Sequence, residues 1–156
     1  MATTTGSFKL YYSFTKYIAD GTIDLDTDTF NVTLHTASYG SVDTTHQNDH
    51  TVYANLTNEL TTANGYTAGG QALAGVTFTR SVNVSTFKCT SPSWTVATAN
   101  LVAYYFIIRK VGTANGITDP LVGVGYLDAT GNSVATVPGD SLTISTASGI
   151  FNIFTG

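Results

Sequence analysis

The chain has 156 residues and a formal net charge of −4; 42% of its side chains are apolar, 12% aromatic and only 10% charged. That length fits one domain with its own core, and the aromatic content with so little net charge argues against disorder. Six Lys and Arg against ten Asp and Glu leave no basic footprint for nucleic acid, and an abundance of Thr, Asn and Gly disfavours long helices.

Residues 1–10 read as a polar arm that turns apolar at Phe8 and Leu10, and 11–156 as a single domain. Such an arm is either frayed or held by a neighbour. Its start lacks the charged and apolar regions of a signal peptide, so the chain is expected to be made in a cytosol and to remain soluble there. The longest apolar run, Leu101 to Ile108, is far short of the ~20 residues of a membrane span, so no membrane is expected as a partner. Tyr11, Phe14 and Ile18 fall at i, i+3 and i+7, which predicts one short helix over 11–20, capped by Ser13 and ended by Gly21.

Residues 29–36 alternate, with Phe30, Val32 and Leu34 on one face and Asn31, Thr33 and His35 on the other; this predicts a half-buried strand. Residues 37–72 hold few apolar side chains and many turn formers. A connection of that length is either functional or paired into short strands, and 52–56 reads as one of these. Further strands are predicted at 75–80, 82–87, 93–96, 101–108 (apolar throughout, hence covered on both faces), 121–127, 141–145 and 150–154, with turns at Asn115-Gly116 and 130–132. About eight short strands separated by turn signals predict an all-β, antiparallel sandwich or barrel with one short N-terminal helix.

Chemical motifs are sparse. Asp24, Asp26 and Asp28 imitate the start of a calcium loop, but Thr29 stands where that loop needs Gly and His35 where it needs Glu. His46, Asp49 and His50 lie within four residues of one another in a polar loop and need another ligand from elsewhere, such as His35, to make a zinc site. Neither is expected to bind a metal. No nucleophile elbow, Walker loop or His-Glu-x-x-His is present, so the chain is expected to be no enzyme and to need no cofactor. Cys89, the one cysteine, excludes an intrachain disulfide and reads as a small hydrophobe at a strand end. Gly69-Gly70 and Gly123-x-Gly125 precede no helix, which points to close backbone packing or a bulge rather than a phosphate loop. Trp94 and the nine tyrosines could stack on sugars, although aromatic residues in strands more often fill a core.

The order of segments adds a resemblance. Ser13-Phe14-Thr15-Lys16, a short helix to Gly21, Thr27-Asp28-Thr29-Phe30, the strand 31–36, Thr57-Asn58-Glu59, and Gly65-Tyr66-Thr67-Ala68-Gly69-Gly70 before Leu73-x-Gly75-Val76 resemble a family of small structural proteins of tailed bacteriophages. The likeness runs motif by motif over 13–80 and by strand pattern beyond, with departures at Thr15, at His35 and in a longer stretch around 113–120. It implies a jelly-roll-like sandwich with a role in the virion, on the head or on the tail. The head reading is a capsid decoration, or cement, protein on the capsid exterior, assembled in the host cytoplasm, a dimer or trimer that bridges neighbouring copies of the major capsid protein. On that reading the arm and the loop 37–72 are the contact segments, with Phe8, Leu10, Tyr11, Tyr12, Tyr53 and Tyr66 as candidate contact residues. A tail, fibre or knob component, or a carbohydrate-binding host-recognition module, is the alternative.

Overall fold

Thr, Val and aromatic residues suit a pleated, half-buried surface, and strands are the main regular structure of the chain. The computed structural model describes residues 2–4, 7–39, 49–146 and 148–154. Among these the first half contains β1 (Ala2–Thr4), β2 (Phe8–Leu10), helix α1 (Tyr12–Ala19), β3 (Phe30–His35), β4 (Gln71–Ala72), β5 (Thr77–Ser81) and β6 (Val84–Lys88). The second half contains β7 (Ser93–Thr95), β8 (Leu101–Ala103), β9 (Tyr105–Lys110), β10 (Thr113–Ala114), β11 (Ile117–Thr118), β12 (Leu121–Tyr126), β13 (Val134–Thr136), β14 (Ser141–Ile144) and β15 (Phe151–Phe154). Among the described residues the protein is all-β with one α-helix.

The largest sheet runs β2-β12-β9-β3-β4, and every neighbouring pair in it is antiparallel. Its central strand β9 is buried along its whole length. One face of this sheet, with Val32, Leu34, Phe106 and Ile108, packs on the main core. The inward residues of the smaller sheets close that core from the other side: Trp94 and Leu142 from β1-β14-β7, Leu101 and Ala103 from β8-β13, Phe87 from β5-β6-β15. Phe14 and Tyr17 of α1 complete it. The opposite face carries a second, smaller cluster of Tyr11, Tyr39, Tyr105, Ile107, Leu121 and Val124.

Glycines inside β12 make room for rings and, at Gly123, for neighbouring backbone as well, because a Cβ there would lie 2.8 Å from Lys9 O. A Cβ on Gly123 would meet the Phe8 ring at 2.4 Å, and one on Gly125 the Phe106 ring at 2.3 Å. Neighbouring strands thus lay aromatic side chains flat over the bare glycine backbone, which buries the ring and shields the ladder beneath it. The register also slips between Leu121 and Gly123, so Val122 is the extra residue of a bulge.

Several expectations need correction. The arm is tied down by its own chain: β2 pairs with β12, and β1 adds in parallel to β14. Ser13 does not cap α1. Tyr11 occupies the cap position without a side-chain bond, and the Ser13 hydroxyl is buried without a partner. The run 101–108 is two strands in two sheets, because the chain turns at Tyr104, whose N–H donates to His35 O at 2.8 Å while its carbonyl accepts from Leu127 N. Residues Tyr53–Asn55 form a 3-10 turn rather than a strand. The alternating runs at 75–80 and 82–87 form one hairpin, turning on Val82 and Asn83. Asn115-Gly116 does make the expected tight hairpin turn, with φ of 50° and 78°.

Candidate functional site

The outward face of β3 is not half-exposed: Thr33 and His35 are completely buried. Their cover is the strap that follows residue 48. Residues 58–60 run beside the upper end of β3 and continue the edge that β4 forms lower down, through Thr36 N–H to Asn58 O (3.0 Å) and Leu60 N–H to Leu34 O (2.9 Å). Polar side chains on a covered strand need partners, and the strap supplies them. His35 Nδ1 lies 3.0 Å from Thr57 O, and His35 Nε2 lies 3.0 Å from Thr33 Oγ1. A carbonyl only accepts, so Nδ1 carries the proton and Nε2 accepts from the Thr33 hydroxyl. Burial therefore holds the His35 pKa below its ordinary value, against the opposing pull of the Thr57 bond and the nearby Glu59 charge.

Glu59, the chain's one glutamate, is the hub of the strap. Its carboxylate accepts from Tyr53 OH (2.5 Å), Tyr66 OH (2.6 Å) and Gly69 N–H (2.7 Å). Tyr66 also accepts from Leu34 N–H at 3.1 Å, which ties the hub to β3. Burial, and then the bond to Glu59, push the Tyr53 hydroxyl up to about 12 and raise Tyr66 further. Arg109 of β9 lies 4.1 Å from the Tyr53 ring centre, pairs with Asp119 at 3.1 Å and donates from Nη2 to Gly69 O at 3.4 Å. Stacking and ion pairing let a guanidinium sit buried in such a place; its Nε has no partner. Gly70 must be bare, because a Cβ there would lie 2.2 Å from Val32 O at a φ of +80°. The Gly-Tyr-Thr-Ala-Gly-Gly segment is thus a clasp that brings Tyr66 and the Gly69 amide to Glu59.

A second relay lies above it. Tyr39 OH is 2.8 Å from both Tyr11 OH and His50 Nδ1, and the Tyr39 ring packs against the rings of His35, His50 and Tyr105. Burial, with Tyr39 beside it, raises the Tyr11 hydroxyl well above its usual range. Both groups join the strap to the sheet through bonds made within the chain.

The candidate contact residues divide sharply. Tyr11 and Tyr66 are 1% exposed, and their hydroxyls bond inside the chain, so this structure corrects their assignment to a contact surface. Phe8 and Leu10 are half-buried against the main core, with the Phe8 ring 5.7 Å from Phe106 and 5.8 Å from Phe151. Tyr53 is half-buried under Arg109. Only Tyr12, 51% exposed, presents its ring to solvent.

The polar motifs also find internal uses. Asp24 accepts from Asp26 N–H (2.9 Å), and Asp28 accepts from Asp24 N–H (2.7 Å) and pairs with Lys110 (2.9 Å). The acidic turn therefore folds on itself and neutralises a buried lysine. His46 lies outside the described residues, and His50 bonds to Tyr39. Among the described residues no group of three or more His, Cys, Asp or Glu could hold a metal, and no helix is long and apolar enough to cross a membrane. Trp94 is 5% exposed, which removes the open ring face that a sugar-stacking role needs.

No family model, curated protein or solved structure matches the chain.

Sequence reasoning missed that Glu59 and Arg109 meet at Tyr53 and Gly69, because 50 residues separate them. A signal was present: one glutamate in a hydroxyl-rich loop, and a charged pair, Arg109-Lys110, ending an apolar run. Both are costly to bury without partners, which predicts that partners exist.

The other surface of note is the outer side of β1-β14-β7. Ser93 and Thr95 point outward from β7 while Trp94 points inward. Their hydroxyls pair across the ladder with Thr143 (2.8 Å) and Ser141 (3.3 Å) of β14. Neither strand carries a charged residue, and the chain's own β1 extends the sheet in parallel at its far edge.

Proposed function

We propose that the chain is a structural protein of a tailed-bacteriophage virion, a cement protein on the capsid exterior that acts as a dimer or trimer and bridges neighbouring copies of the major capsid protein. Its scaffold on this reading is the jelly-roll-like sandwich that the resemblance over residues 13–80 implies. The observation that carries the reading is the uncharged hydroxyl face of β7 and β14, bordered by an edge that already accepts a short added strand. Such a surface offers backbone and hydroxyl hydrogen bonds across a flat contact. Each contact is weak, and many copies on one shell add up by avidity. The strap supports the reading from the other side of the largest sheet, because its clasp keeps the scaffold rigid while the outer strands bind.

The experiment mixes purified chain with mature shells of a susceptible phage and follows sedimentation and shell melting. The expected result is saturable co-sedimentation and a raised shell melting temperature, with little loss of binding from low salt to about 0.5 M because the contact is uncharged. The double variant Thr95→Lys/Thr143→Lys is expected to fold and to lose shell binding. A shell whose melting temperature is indifferent to the chain would remove the cement role.

A further inference from the structure

Between the largest sheet and β14 lies a crevice of about 100 Å³. Its floor is Val32, Phe106 and Ile108, and Ile144, Ile150 and Cys89 stand on its other walls. Two polar side chains, Ser145 and Thr146, also stand at the wall, and the threonine is engaged elsewhere. Thr146 Oγ1 donates to Cys89 O at 2.6 Å and lies 3.2 Å from Ser91 Oγ, while Thr146 N–H donates to the same Ser91 oxygen. Cys89 lines the crevice as well, and burial raises its pKa against the opposing bond with Thr146, which keeps it a neutral thiol, a weak donor at best.

A site of this kind discriminates by polarity. Water needs two to four polar partners to be held in a cavity, whereas a cavity walled by aliphatic and aromatic side chains takes apolar guests; one of roughly 150 Å³ binds benzene or xenon. We propose that this crevice is a binding site for one small, uncharged, apolar molecule of about benzene's size. The guest gains contact with the Phe106 ring and with the branched side chains of Val32, Ile108 and Ile144. A hydroxyl on the guest would leave water for a wall whose side chains are polar only at Ser145, Thr146 and the Cys89 thiol, which weakens binding about tenfold.

Benzene is the probe, phenol its polar counterpart, and the full chain the host. Thermal melting is recorded against ligand concentration, with methyl NMR signals assigned for Val32, Ile108, Ile144 and Ile150. Benzene is expected to raise the melting temperature in a saturable manner and to shift those signals while leaving the methyls of Val102 and Val137, exposed elsewhere on the surface, unmoved. Phenol is expected to bind about tenfold more weakly. Two filling variants, Cys89→Leu and Val32→Leu, are expected to lose the benzene response, and either suffices if the other misfolds. The proposal is overturned if benzene shows no saturable effect up to its solubility limit, if phenol binds equally well, or if the response persists in a folded filling variant.

Discussion

Replacing Glu59 tests whether the strap is clasped as described. In Glu59→Ala the buried Tyr66 hydroxyl and the Gly69 N–H both lose their acceptor. Each orphaned donor costs about 1–3 kcal/mol, so the expected loss is about 2–6 kcal/mol. Tyr53 adds little because it is half-exposed and can turn to water. That loss is a large share of the ~5–15 kcal/mol that holds a typical domain together. Glu59→Gln keeps the shape and one acceptor oxygen, and is expected to cost about 1–2 kcal/mol. Urea unfolding followed by the fluorescence of Trp94, a buried indole 6.3 Å from the Tyr66 ring, reads both values. A double-mutant cycle of Glu59→Gln with Tyr66→Phe is expected to show a coupling of about 1 kcal/mol. A loss below about 0.5 kcal/mol in Glu59→Ala, or strict additivity in the cycle, would refute the clasp.

Acid is expected to weaken the fold through His35. Its folded-state pKa lies below the ordinary value of 6.5, so the unfolded chain takes up a proton first; the stability is complete above pH 6.5 and falls as pH drops, by up to about 1.4 kcal/mol per pH unit, until the folded pKa is reached. The slope of unfolding midpoint against pH between about 7.5 and 5 measures this, and an unchanged slope in His35→Asn would contradict it. Gly125→Ala drives a methyl into the Phe106 ring and is expected to destabilise by about 1–3 kcal/mol, with partial recovery in Gly125→Ala/Phe106→Leu; a neutral Gly125→Ala in a melting assay would count against the packing described. Val82 sits at φ +54°, 83% exposed, in a two-residue hairpin turn, so Val82→Gly is expected to stabilise by about 0.5–1 kcal/mol, and any loss in its denaturation midpoint would argue against that backbone.

Legibility followed the range of the interaction. The helix, the β3 strand and the Asn115-Gly116 turn are each set by neighbours a few residues apart, and their periodicity shows in the chain. The burial of Thr33 and His35 depends on Thr57 and Glu59 arriving from more than 20 residues away, so a period-2 pattern showed which residues share a face but not what covers it. The division of the run 101–108 was invisible for the same reason. All of its residues are apolar, and only pairing with β13 on one side and with β3 and β12 on the other reveals that the chain changes sheets at Tyr104. Tyr11 and Tyr66 read as contact residues because one borders the arm and the other lies in the loop 37–72, segments that can reach a neighbour. Their hydroxyls instead close buried polar networks, a role that composition does not distinguish from the first. The glycines of β12 were legible as positions of close backbone approach or a bulge, and Lys9 O beside Gly123 and the bulge at Val122 bear this out, while the Phe8 and Phe106 rings that share the space were not legible.

The proposed cement role sets the β1-β14-β7 surface against the phage shell. Electron cryomicroscopy of mature shells saturated with the purified chain decides it. The expected result is ordered density above the contacts between capsomers, with the Ser93–Thr95 and Ser141–Ile144 strands facing the shell. Bare shells, density confined to the tail, or a bound chain that turns this sheet outward would contradict it.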